Sequence, residues 1–137
     1  MKSYLFGISL VLENYYQQLS GEFKMSKNYK QITDNINKAL GEIRQTHSDV
    51  LQAFHALSQA ATKDNALDKK TKELVAMGIA IAKQCDGCIG FHTQTLIKLG
   101  VTREEFIDVL GMAVYMGGGP SLMYAAEAIQ AFDELSH

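Results

Sequence analysis

Glu73, Cys85, Cys88 and His92 stand in the stretch ELVAMGIAIAKQCDGCIGFH, and their types and spacing suit thiol redox chemistry. Two cysteines separated by two residues at the opening of a helix can close and reopen a disulfide. A histidine four residues past Cys88 lies one helical turn away, near enough to move a proton to or from its sulfur. At about 100° per residue the three side chains fall within roughly 60° of one another around a helix, so they make one site or none. Free N–H groups in a helix's first turn favour a thiolate, and that argument alone selects Cys85 as the more acidic thiol. Gly87 and Gly90 are expected to keep nearby bulk low, so that a small oxidant or a partner's thiol can approach.

Glu73 and His92 are placed symmetrically about residues 82 and 83. An antiparallel hairpin turning there brings the carboxylate level with the imidazole, where it can relay a thiol proton through His92 or a water. The alternative is a Glu73 that faces solvent or pairs with Lys69 or Lys70. For the cysteines the competing assignment is a zinc site of Cys85, Cys88 and His92 with a distant fourth ligand. No second CxxC or HxxxH is present to complete it, so no metal and no cofactor are expected. His47 and His55 show no partner in sequence and are read as structural, with His55 the candidate pocket neighbour.

The elements that must position these residues read as helices throughout, with one proline in 137 residues. Ile32, Ile36, Leu40 and Ile43 make an apolar stripe from about Tyr29 to Gln45. Ser48 can cap a second helix whose buried face is predicted to be Leu51, Phe54 and Leu57. Asp68 is the N-cap of a third, carrying Glu73, Leu74, Met77 and Ile81. A fourth is predicted to start near Cys85 and end at Leu99, with Gly100 suited to the left-handed residue just past it. Thr102 and Glu105 match a capping box that opens a fifth helix through Met116. Gly117 to Gly119 make a tight turn, and Pro120 begins a sixth helix through Phe132.

The composition, 47% hydrophobic and 20% charged, suits one compact domain over residues 25–137. Residues 1–24 read as an N-terminal extension, because their apolar stretch is short, lacks a clean cleavage site and cannot span a bilayer. The formal charge of −2, with no basic run interleaved with aromatics, argues against a nucleic-acid partner and against attraction to a membrane surface. A disulfide three positions apart closes almost no loop and adds little stability, so the pair points to reactivity in a reducing compartment, the cytoplasm. The six methionines are core or interface filler.

Glu73, eleven intervening residues, Cys85-Asp-Gly-Cys88, three more and His92 together resemble the alkyl hydroperoxidase D (AhpD-like) core of the carboxymuconolactone decarboxylase family. The segment AVYMGGGPSLMYAAEA at 113–128 is similar to that family's second signature, and the resemblance covers about residues 30–135. It implies an all-α AhpD-like bundle assembled as a homotrimer or homohexamer. It also implies a thiol-dependent peroxidase that reduces a hydroperoxide substrate and is re-reduced by a dithiol or lipoyl-type protein. By the same resemblance Cys88 attacks, Cys85 resolves, and Glu73 and His92 relay the proton, which disagrees with the helix-end argument for Cys85. Some relatives carry a further histidine between the cysteines, where this chain has Gly87. Decarboxylases of the broad family typically lack the CxxC. Two other functions stay open, a decarboxylase of a small cyclic acid using His92 and Glu73, and a redox-responsive or zinc-binding protein without turnover.

Overall fold

Local signals at the helix ends account for most of the architecture. The computed structural model describes residues 27–137, and the expected extension over residues 1–24 lies outside them. Among the described residues there are five helices and no strand: α1 (Tyr29–Thr46), α2 (Ser48–Thr62), α3 (Lys69–Ala82), α4 (Asp86–Lys98) and α5 (Arg103–Leu135). Asn28 caps α1 by accepting the Gln31 N–H, and Asp68 caps α3 by accepting that of Thr71. Thr102 and Glu105 form the expected reciprocal capping box at the start of α5. Gly100 leaves α4 with a φ of 71°, the left-handed turn that a residue without Cβ adopts most easily.

The predicted fifth and sixth helices are one helical segment, α5, interrupted at a single residue. Gly118 has φ 70° and ψ −155°, outside the helical region, and Pro120 follows in the first turn beyond it. The glycine-rich joint therefore bends the path without opening a loop. α5 is also the one helix among the described residues long and apolar enough by length and composition to cross a membrane. Its Phe106, Leu110, Ala113, Ala125, Ala128 and Ala131 are instead buried, and α5 makes its most extensive contacts with α3 and α4. Packing within the bundle accounts for part of that apolarity, while Met112, Tyr115, Met116, Leu122 and Met123 on the same helix are exposed.

The core lies between α3, α4 and α5, where Met77, Ile81, Ile89, Leu96 and Phe106 are fully enclosed. Alanines on α5 let the helices approach closely, and Phe106 meets Phe132 with ring centroids 4.8 Å apart. Tyr29 and Thr33 bring the first half of α1 onto this core, while Ile43 near its end is exposed. The predicted stripe is therefore used only in part.

α2 departs from expectation. Its first residue is Ser48, the cap position falls to His47 without a side-chain cap, and none of its residues is buried. Phe54 is 68% and Leu57 64% exposed, so the face predicted to be internal looks outward. The helix packs chiefly on α1 and only thinly on α3. An amphipathic pattern specifies an apolar stripe but not what meets it.

Candidate active site

The turn between α3 and α4 sets the geometry. Lys83 closes α3, Gln84 takes a positive φ of 56°, and the Cys85 N–H donates back to the Ala80 carbonyl at 3.1 Å. This reversal makes Cys85 the N-cap of α4, with its sulfur accepting the Cys88 N–H at 3.3 Å. Cys85 and Cys88 are joined in a disulfide, and no cysteine is free. No group of three or more His, Cys, Asp and Glu side chains among the described residues is arranged to hold a metal ion.

The same hairpin brings Glu73 to His92, as the symmetry about residues 82 and 83 predicts. Glu73 Oε2 and His92 Nδ1 lie 2.6 Å apart, with Glu73 only 5% exposed. Lys70 pairs with Glu105 at 2.7 Å, so the solvent or Lys69/Lys70 alternative for Glu73 does not hold. A buried carboxylate on Nδ1 favours the tautomer in which Nδ1–H donates to Glu73, leaving Nε2 with its lone pair. The pair can accept a proton at Nε2 and hold the resulting imidazolium beside a negative charge.

Glu73, Cys85, Cys88 and His92 border one open cavity of about 500 Å³, lined also by Ile36 of α1, Phe54 and Ser58 of α2, and Phe91 and Thr95 of α4. The four residues singled out in sequence are thus together. His55 is not among the lining residues; Phe54 and Ser58 take the place expected of it.

Gly87 and Gly90 serve an end beyond the one expected. A Cβ at Gly87 would lie 2.6 Å from Ile36 Cδ1, and one at Gly90 would lie 2.6 Å from Thr33 Cγ2. The missing bulk admits α1, and Gly87 also lines the cavity beside the cysteines, as expected. Ile36 therefore fills the ground that a histidine between the cysteines would need.

Lys27 was not visible as a site residue. Its ammonium bridges Asp86 Oδ1 at 2.9 Å, inside the CxxC, and Glu127 Oε2 on α5, and lies 4.7 Å from the centre of the Tyr124 ring. The Tyr29 hydroxyl donates to the same Glu127 oxygen. Burial opposes the Lys27 charge, but Glu127 and Asp86 outweigh it and raise the pKa. Tyr29 is pushed well above the usual phenol range by burial first and by Glu127 next. Partners 59 and 100 positions away leave no local signature in sequence.

A family model, the carboxymuconolactone decarboxylase family, matches residues 48–131. An uncharacterized protein of Cupriavidus necator is 38% identical over 112 residues, covering 82% of this chain and 99% of that protein. A carboxymuconolactone decarboxylase family protein of Legionella pneumophila, solved in its apo form, is 61% identical with a TM-score of 0.78, covering 80% of this chain and 97% of the other. A Thermotoga maritima protein of that family, for which involvement in an antioxidative response has been suggested, is 26% identical with a TM-score of 0.66, covering 75% and 88%.

Proposed function

The chain belongs to the carboxymuconolactone decarboxylase family, and on that premise we propose that it is a thiol-dependent peroxidase of the alkyl hydroperoxidase kind, serving antioxidant defence. The observation that carries this reading is a Cys85–Cys88 disulfide sharing one cavity with the hydrogen-bonded pair of buried Glu73 and partly exposed His92. The antioxidative response suggested for the Thermotoga maritima relative supports it.

In the reduced protein, His92 Nε2 takes the Cys88 thiol proton while Glu73 stabilises the imidazolium through Nδ1–H. The Cys88 thiolate attacks the hydrogen-bearing peroxide oxygen, the O–O bond breaks, and the leaving alkoxide takes the proton from His92 as it becomes an alcohol. Cys88 is left as a sulfenic acid. The Cys85 thiolate then attacks the Cys88 sulfur, expelling hydroxide that is protonated to water, and the disulfide closes. This division reconciles the two arguments about the cysteines. The Cys88 N–H and the α4 N-terminus stabilise a thiolate on Cys85, the form that a resolving nucleophile needs. Cys88 lies one helical turn before His92, the group to which it passes its proton.

The cycle needs a dithiol or lipoyl-type protein reductant and a reducing compartment, for which the cytoplasm is our assignment. Exposed Tyr115, Met116, Leu122 and Met123 around the Gly118 bend suit a subunit interface in a homotrimer or homohexamer, testable by gel filtration. The activity test is consumption of an organic hydroperoxide with dithiothreitol as reductant. Cys88→Ser is expected to abolish turnover, and Cys85→Ser, pre-reduced and freed of dithiothreitol, to stop after one turnover with peroxide as a trapped sulfenic acid, or as a mixed disulfide once thiol is added. Retained turnover in Cys88→Ser would overturn the assignment. Decarboxylation that survives alkylation of both thiols would select the decarboxylase instead, and redox-dependent assembly without turnover would select the non-enzymatic alternative.

A further inference from the structure

Two openings meet at the disulfide. One is the 500 Å³ cavity beneath α1 and α2, walled by Ile36, Phe54 and Phe91 and containing Glu73. The other, of about 420 Å³, lies against α3 and is walled by Ala76, Ile79, Ala80 and Lys83. They share only Cys85, Cys88 and His92. Their charges differ in sign: Glu73 borders the first and Lys83 the second. Lys83 is exposed, and its ammonium makes no ion pair among the described residues.

We propose that the two half-reactions use different openings, the hydroperoxide entering beneath α1 and α2, and an anionic dithiol reductant entering over α3 under the attraction of Lys83. The oxidant half of this inference rests on the peroxidase reading above. Apolar walls and the Glu73–His92 pair suit an organic hydroperoxide whose leaving oxygen needs a proton. That carboxylate repels an anionic arm, whereas Lys83 attracts one. Ala76 and Ala80 leave the α3 side low enough for a second molecule's sulfur to reach the disulfide.

The exchange runs as follows in bonds and electrons. A thiolate of the reductant attacks Cys88 Sγ, the S–S bond breaks, and its electron pair goes to Cys85, whose sulfur already accepts the Cys88 N–H. The reductant's second thiol, deprotonated, attacks the mixed disulfide and expels the Cys88 thiolate. The reductant departs as a cyclic disulfide, having given up two electrons and two protons, and the protein sulfurs take them up as thiols.

Dihydrolipoate and dihydrolipoamide have the same reach and dithiol but differ by one negative charge, so their single-turnover rates of reducing the oxidised protein isolate the role of Lys83. Dihydrolipoate is expected to be faster, and Lys83→Glu to lower the dihydrolipoate-to-dihydrolipoamide rate ratio by about tenfold, while Lys83→Arg keeps it. Ile79→Trp, which narrows the α3 opening, is expected to slow reduction by both dithiols about tenfold more than it slows oxidation of the pre-reduced protein by cumene hydroperoxide. A ratio unmoved by Lys83→Glu, or equal slowing of both half-reactions by Ile79→Trp, would overturn the inference. The dithiol measurement needs no peroxide. A protein that fails to consume any hydroperoxide therefore removes the peroxidase reading and the oxidant half, while the Lys83 ratio still decides the reductant half.

Discussion

α2 and the α3–α4 hairpin are both helical and both carry apolar stripes, yet one buries nothing and the other encloses a carboxylate, a methionine and an isoleucine. The hairpin lies against α5, and its inward Met77, Ala80, Ile81 and Ile89 are specified by neighbours, while Val75 and Ile79 face outward. α2 touches α1 and little else, and it contributes to the site only by holding Phe54 and Ser58 over the cavity. The hairpin carries the four candidate groups, and α2 lines one side of the cavity they border. Under the proposed function, the contrast in burial separates a carboxylate that needs a fixed, enclosed setting from a wall that does not.

The largest expected effect falls on the hairpin. Glu73→Gln removes the charge that holds the imidazolium, and we expect peroxide turnover to fall by about a hundredfold near neutral pH, read as kcat/KM against pH. An unchanged profile would remove Glu73 from the relay. Ser58→Ala on α2 is expected to leave the shape of that profile as it is.

Stability offers the next contrast. Met77 is fully buried, so Met77→Ala is expected to cost about 2–5 kcal/mol in chemical denaturation. Phe54→Ala is expected to stay within about 0.5 kcal/mol in dilute protein. A cost for Phe54→Ala that grows with protein concentration would mean that another copy covers α2. Between these lies Gly87→Ala, which pushes a Cβ into Ile36 and is expected to cost about 1–3 kcal/mol. The double variant Ile36→Ala/Gly87→Ala should recover part of it, and no recovery would disprove the steric account.

The smallest effects are electrostatic. Lys27 and Tyr29 both have pKa values raised in the folded protein. Their contribution is fully present below the unfolded values near pH 10 and is lost as pH rises toward the folded ones. Urea midpoints are therefore expected to fall in strong alkali, less so in Lys27→Met. Asp68 and Glu105 shift the other way, lowered first by the Thr71 N–H and by Lys70 respectively. Their contribution is present above the ordinary carboxylate range and is lost as pH falls through the folded values. Asp68→Ala should flatten the acid limb slightly, and an unaltered limb would count against the cap.

Helix ends were the most legible part of the fold. Asp68, Thr102 with Glu105, Cys85 and Gly100 each stand where the local pattern predicts, because a cap is satisfied by residues three or four positions away. The Glu73–His92 pairing was legible for a similar reason, since two helices joined by a short turn have little choice of register. The fit of α1 against Gly87 and Gly90, the outward face of α2 and the place of His55 were not legible. Each depends on what a distant helix does.

By itself the sequence determined an all-helical chain and four chemical groups on one hairpin, since these follow from periodicity, capping and spacing within about twenty residues, and its motifs resembled one family. Only the tertiary structure decided that Ile36 occupies the space beside Gly87, that Lys27 ties Asp86 to Glu127, and that the disulfide has two approaches. Those are contacts between segments far apart in the chain. Their identity depends on how whole helices pack, which no local pattern encodes.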